Sequence, residues 1–398
     1  MQQAFRDHVE RSEDSGSSAS IVDQARPRRR VFFLSGFDPR GASFYYRLFA
    51  DQVRRLRRRS GRSLRVGHRR GQQVDQLISR WHVCDNTTTQ LDFCFLHWDD
   101  IARRNWPKSP LRMLAAMFAF ASWYVGQGGL LRIARMSGRV ALCGLYPVLF
   151  TAGSLLATTV VTLAGLGLLA GLGLAPPVQV AIGSLLVVVQ LASAWRLANH
   201  LGVVWLFRSI RFTHQLGQAR DGDLRCRVVE LAQRIGELEA SDPAAEVLLV
   251  GHSSGSFVMA MLAAELRRQG VDRQLVGRLQ LLSLGQNLAN LAVHGKARAF
   301  HADLALLAQE PRLPWLDITS RDDYLCFAAV DPYLSCGVPR QGAEAYPELR
   351  LIPLAQRQGI SSLAELLSHQ FDLHFEYLRT AEPERSGGFD LIEEWLAP

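Results

Sequence analysis

A chain of 398 residues with 48% hydrophobic content has room for one large domain or two ordinary ones, and it carries enough apolar side chain for a sizeable core, which excludes a disordered protein. A net charge of +8 suits nucleic acid or anionic lipid as a partner, and a long apolar region between basic flanks favours lipid. The six cysteines, Cys84, Cys94, Cys143, Cys226, Cys326 and Cys336, show no CxxC pair or metal-ligand spacing and read as reduced thiols of a cytosolic environment.

In chain order, residues 1–30 are polar, with Ser15-Gly16-Ser17-Ser18 ahead of Arg26-Pro27-Arg28-Arg29-Arg30 and no apolar stretch of signal-peptide type, and they predict a flexible basic tail. Val31-Phe32-Phe33-Leu34 predicts a buried strand, and Ser35 to Gly41 a loop punctuated by glycine and proline. Tyr46, Phe49, Val53 and Leu56 give Ser43 to Arg59 helical spacing, and the arginines from Arg54 to Arg70 read as a solvated helix face. Strands are expected at Ile78 to Val83 and Leu91 to Trp98, with Asp85-Asn86-Thr87-Thr88 turning between them. Asp99 and Asp100 read as structural.

After Pro110 the character changes. Leu111 to Tyr124 is apolar but short, and residues 111–140 suit a helical segment at a membrane interface or in the core. Ala141 to Leu174 is almost uncharged and exceeds the ~20 residues that cross a bilayer. Ala175-Pro176-Pro177 breaks it, and Val178 to Trp195 forms a second run, extended to Phe207 if Arg196 reaches a headgroup. Residues 141–207 therefore predict a transmembrane helical hairpin. Arg132, Arg135 and Arg139 precede it, Arg208 and Arg211 follow it, and the connecting turn carries no basic residue, so both flanks belong in the cytoplasm and the membrane is the cytoplasmic (inner) one.

Beyond the hairpin, helices at Asp223 to Glu239, Ser256 to Arg268 and Lys296 to Gln309 alternate with strands at Val247 to Val250, Leu279 to Gly285, Pro314 to Ile318 and Leu349 to Leu354, the pattern of a mostly parallel sheet covered by helices on both faces. The strand Val247 to Val250 runs into Gly251-His252-Ser253-Ser254-Gly255 and then a helix. This G-x-S-x-G spacing suits a nucleophile on a tight strand-to-helix turn: glycines two residues either side keep the turn free of side chains, and the helix N-terminus faces the site where an oxyanion would form.

On that motif and its setting the chain resembles the α/β-hydrolase superfamily, over roughly Val31 to Ile101 and Leu224 to Leu378, with the hairpin as an insertion between a first part, 31–110, and a second, 208–398. The resemblance implies a lipase- or esterase-like serine hydrolase with Ser253 as nucleophile. It further implies an oxyanion hole from the backbone N–H groups of Phe37 and Ser254, with Ser35-Gly36-Phe37 standing where the superfamily usually has a His-Gly sequence. The acid is expected in the loop after a late strand, where Asp323 fits first and Asp322 second; Asp317 falls inside the strand and Asp331, before Pro332, suits a turn. The histidine is expected after the last strand, and His374 is preferred to His369 for its apolar neighbours Leu373 and Phe375; His252 reads as structural. The expected function is cleavage of an acyl ester at the cytoplasmic face, with a thioesterase or peptidase using the same residues, or a silent lipid-binding scaffold, as alternatives. No Walker, Rossmann or HExxH motif is present, and neither cofactor nor metal nor nucleic acid is expected.

Overall fold

The computed structural model describes residues 28–69, 75–85, 88–310, 313–338, 347–381 and 390–396. Strand β1 (Arg29–Leu34) has every residue from Arg30 onward buried, because it runs through the middle of a sheet covered on both faces. The expected tail is corrected at its end: Arg29 and Arg30 belong to this strand, and Arg30 is fully buried against Asp92 at 2.7 Å, Glu239, and Asp242 at 2.9 Å. Residues 1–27 of that tail lie outside the described residues.

Helix α1 (Ala42–Ser60) buries its predicted stripe of Phe49, Val53 and Leu56 and stops at Gly61, whose φ of 69° an L side chain rarely adopts. The arginine-dense stretch beyond it is not helix, as expected, but β2 (Leu64–Val66), paired antiparallel with β3 (Ile78–Asp85). β3 pairs antiparallel with β4 (Thr88–Leu96). Asn86 and Thr87 of the expected turn lie outside the described residues. With β5 (Glu246–His252), β6 (Leu279–Leu284), β7 (Trp315–Thr319) and β8 (Glu348–Leu351), the eight-stranded order is β2-β3-β4-β1-β5-β6-β7-β8. All pairs from β4 to β8 are parallel, and β3 alone runs against the others. The last strand ends at Leu351 rather than Leu354, because Leu354 to Gln358 already winds into a short helix.

Between β4 and β5 lie α2 (Pro110–Ala121), α3 (Gly129–Met136), α4 (Gly138–Gly171), α5 (Pro176–His200), α6 (Val203–Gly217) and α7 (Gly222–Ser241). α2 is capped by Ser109 with Pro110 in its first turn, and α4 by Ser137, whose hydroxyl accepts from the Val140 N–H. α4 and α5 are long and apolar enough to cross a membrane, and only 17% and 6% of their most apolar windows are buried inside the protein. At 34 and 25 residues they reach about 51 and 37 Å at ~1.5 Å per residue, beyond the ~30 Å of a bilayer's hydrocarbon. They pack side by side through close contacts of Gly183 with Leu166 and Gly165 with Leu186, and the Gln190 amide donates to the Thr162 hydroxyl at 3.3 Å. The second span does not extend to Phe207. It stops at His200, Gly202 turns the chain at φ 71°, and Phe207 sits on α6, fully buried. α2 and its continuation to Gly126 meet α3 at 66°, so the segment expected at an interface is a bent pair with one face buried through Met113, Met117 and Phe120.

α8 (Gly255–Arg268) and α9 (Arg298–Ala308) join α7 on one face of the sheet. α1, α10 (Gln370–Glu376) and the helix Leu391–Trp395 cover the other. A third apolar cluster ties α2 to α6 onto Ala289 and Phe327 of the α/β layer, so the hairpin base is docked on the loops at one end of the sheet.

Candidate active site

The strand order reverses between β1 and β5, and the crevice outside the carboxyl ends of such strands is where open α/β sheets bind ligands. Ser253 lies there, directly after β5, at φ 56°, one of three non-glycine residues with positive φ among the described residues. A serine in this left-handed region is held against a local strain of ~1–3 kcal/mol. The turn explains its glycines. A Cβ on Gly251 would come within 2.6 Å of the Gly255 carbonyl oxygen, and one on Gly255 would overlap the Leu34 carbonyl. The Ser253 N–H is anchored to the Leu284 carbonyl at 2.9 Å, and the Ser256 hydroxyl donates to the Ser253 carbonyl at 2.6 Å.

The loop after β1 lies against this serine: a Cβ on Gly36 would sit 3.0 Å from Ser253 Cβ and 3.3 Å from its Oγ. Any larger residue at Gly36 would press on the hydroxyl. Phe37 is buried, its ring stacked on Phe212 at 4.5 Å, which fixes the loop. Among the described residues, no hydrogen bond engages the N–H of Phe37 or that of Ser254. Neither residue is among those that line the cavity shared by Ser253 and His374.

Asp323 and His374 come together, 51 residues apart in sequence: His374 Nδ1–H donates to Asp323 Oδ2 at 2.7 Å, with both side chains buried. The other oxygen of Asp323 accepts the Leu325 N–H at 2.9 Å, and the Tyr377 hydroxyl adds a bond to Oδ2 at 3.2 Å. Burial pushes the Tyr377 phenol well above its usual range, so it stays a donor. Gln370 clamps the acid loop onto α10 by accepting the Tyr324 N–H at 2.7 Å and donating to the Asp322 carbonyl at 3.0 Å. The second-choice residues are engaged elsewhere: Asp322 accepts the Ala355 N–H at 3.0 Å, and His369 bonds the Glu365 carbonyl at 2.8 Å. With Nδ1 committed to Asp323, Nε2 of His374 has no hydrogen-bond partner among the described residues, the Ser253 hydroxyl included, and Ser253 and His374 line one cavity of about 50 Å³.

His252 is structural. Its Nε2–H donates to the His374 carbonyl at 2.8 Å, and burial followed by the charge of His374 pulls its pKa down to about 3, so the ring stays neutral. Asp99 is bound by His97 at 2.9 Å and by Arg103, Asp100 by Arg227 at 2.7 Å, and Asp331 caps a short helix through the Tyr333 N–H at 2.8 Å.

Sequence reasoning missed Asn287, Tyr377 and Gln370. Asn287 Nδ2 lies 3.5 Å from Ser253 Oγ, while its N–H donates to the Ser256 hydroxyl at 3.0 Å, so the end of β6 is wired to the serine turn. Its position three residues beyond a parallel strand was the available signal, since ligands gather at such strand ends. Tyr377 and Gln370 carried none: each acts through a partner 54 or 46 residues away. Compared with family models, curated proteins and solved structures, the chain finds no match.

Proposed function

We propose that the chain is a serine hydrolase of α/β-hydrolase type, anchored by a two-span hairpin with its α/β layer in the cytoplasm, and that it cleaves acyl esters. The observation that carries this reading is that Ser253, at a left-handed turn, and His374, held through Nδ1 by Asp323, line a single cavity. A hydroxyl is a poor nucleophile near neutral pH unless a base takes its proton as the bond forms. In the proposed reaction Ser253 Oγ adds to the ester carbonyl carbon while its proton passes to His374 Nε2. The C–O bond to the alcohol breaks, and the alcohol leaves with that proton. Water, deprotonated by the same nitrogen, then releases the acid and restores the hydroxyl. Asp323 holds the imidazole in the required tautomer and compensates its transient charge. The amides of Phe37 and Ser254 are the proposed donors to the oxyanion.

A fluorophosphonate probe tests the proposal directly. It should label the purified protein and fail to label a folded Ser253→Ala variant; labelling that survives Ser253→Ala, or is lost only with Ser254→Ala or Ser256→Ala, would refute the assignment.

A further inference from the structure

We propose that the Asn287 carboxamide is a catalytic donor to the oxyanion formed at Ser253, a role that rests on the hydrolase reading above. When Ser253 Oγ adds to an ester carbonyl, the π pair of that carbonyl moves onto its oxygen. This oxygen lies two bonds from Oγ, and donors aimed there in advance stabilise the charge as it develops. Phe37 and Ser254 stand outside the cavity that Ser253 and His374 share, whereas Asn287 is one of its walls.

The side chain of Asn287 is turned toward the reaction. Its Nδ2 lies 3.5 Å from Ser253 Oγ, and no other hydrogen bond to that hydroxyl occurs among the described residues. From there it can meet an oxygen two bonds beyond Oγ at the ~2.7–3.1 Å of an oxyanion contact. Asn287 is only 8% exposed, yet its carboxamide makes no second hydrogen bond among the described residues, an arrangement that leaves a buried donor available to a ligand. It also precedes the helix Leu288–Ala292, where an asparagine ordinarily caps the first turn through its side-chain oxygen, and it does not do so.

The backbone that carries Asn287 is fixed by bonds that leave the carboxamide out. The Asn287 N–H donates to Ser256 Oγ at 3.0 Å, and the same hydroxyl donates to the Ser253 carbonyl at 2.6 Å, so the end of β6 and the serine turn share one oxygen. Gln286, fully buried, donates to the Phe327 and Val330 carbonyls at 3.0 and 3.1 Å and accepts the Leu288 N–H at 2.8 Å. A donor held in this way needs no reorganisation when charge appears, and one such donor is worth ~10²–10³ in rate. In the step itself the Oγ–C bond forms, the Oγ proton passes to His374 Nε2, and Asn287 donates a hydrogen bond to the new oxyanion while keeping its proton. The electron pair returns to carbon as the C–O bond to the alcohol breaks.

The test uses the full-length protein in phosphatidylcholine nanodiscs with two probes, a fluorophosphonate and its thiono counterpart carrying P=S in place of P=O. Attack by Ser253 places charge on the phosphoryl oxygen of the first and on the sulfur of the second, and sulfur is a weak acceptor. In Asn287→Ala, labelling by the P=O probe should slow by about 10²-fold and labelling by the P=S probe by less than about threefold. A displaced serine turn would slow both alike, so the ratio between the probes reads the donor and not the scaffold. Asn287→Leu keeps the shape of the side chain without its N–H; it should shift the ratio equally, and it carries the test if Asn287→Ala does not fold. Both probes slowed to the same extent, or neither slowed, overturns the proposal, and it leaves the hydrolase reading standing when Ser253→Ala takes no label. A folded parent protein that takes no label from either probe removes both readings.

Discussion

The two ends of the sheet bury charge in opposite ways. At the start of β1, Arg30 is shared among Asp92, Glu239 and Asp242, Arg80 reaches Asp92, and Arg278 reaches Glu239 at 3.1 Å, so every buried carboxylate there meets at least one guanidinium. At the other end, Asp323 meets one histidine and two neutral donors, and that histidine's second nitrogen has no hydrogen-bond partner among the described residues. Saturated ion pairs lock backbone in place but cannot move a proton. A pair with one open valence can, and the chain keeps such a pair where the strand ends leave a crevice.

Breaking the open end should be the most damaging change to activity. On the proposed reading His374→Ala lowers kcat/KM by about 10⁴-fold, Asp323→Asn by nearly as much because it favours the wrong tautomer, and the double variant by little more than either. His369→Ala and Asp322→Asn should stay within about threefold of the parent, since neither side chain is bonded to a member of that pair. Ester turnover by purified folded proteins checks this, and near-parental turnover by His374→Ala would erase the distinction between the two ends.

Breaking the saturated end should cost stability instead. Arg30→Met leaves Asp92 and Glu239 buried with fewer partners, a loss of about 3–5 kcal/mol, while turnover per folded molecule is retained. Fluorescence-monitored urea unfolding in detergent, paired with active-site titration, measures both quantities. Unchanged unfolding would mean that the cluster is not a structural lock.

A buried carboxyl between these ends sharpens the contrast more gently. Asp317 accepts from the Ser283 hydroxyl, its second oxygen has no hydrogen-bond partner among the described residues, and burial pushes its pKa from 3.8 up to about 8. The folded protein therefore holds a proton that the unfolded chain releases. This contribution to stability is fully present below about 4 and is lost as pH rises toward 8. His252 has the opposite sign, losing stability as pH falls from 6.5 toward about 3, so it drops out of measurements made between pH 7 and 9. Asp317→Asn keeps an acceptor for Ser283 and should raise Tm modestly, with the gain growing up to about pH 8 and level beyond it. A gain that shrinks as pH rises would contradict the protonated carboxyl.

The strands after Val31, the serine turn and the apolar hairpin were legible because each is a local pattern: uninterrupted apolar runs, glycines at fixed offsets, and about 20 residues without charge. The strand expected at Leu349 to Leu354 was placed to within a few residues. Arg30 was misread because a charged residue carries no local mark of burial, and only the arrival of Asp92 and Glu239 from other segments makes burial tolerable. β2 escaped notice because three residues paired on a sheet edge leave no periodicity, and the span was drawn too long because Gly202 gives no sign of its turn until α6 docks on the third apolar cluster.

The sequence by itself determined which segments bury apolar surface and therefore the sheet, its covering helices and the membrane-length pair, since those follow from side-chain period and run length along the chain. Only the tertiary structure decided that Asp323 and not Asp322 meets His374, that Asn287, Tyr377 and Gln370 brace the site, and that the small cavity at Ser253 shares walls with a large groove at the hairpin base. Those facts depend on a few ångströms between residues from 31 to 54 positions apart or more, and such distances are set by how whole elements pack, which no local pattern encodes.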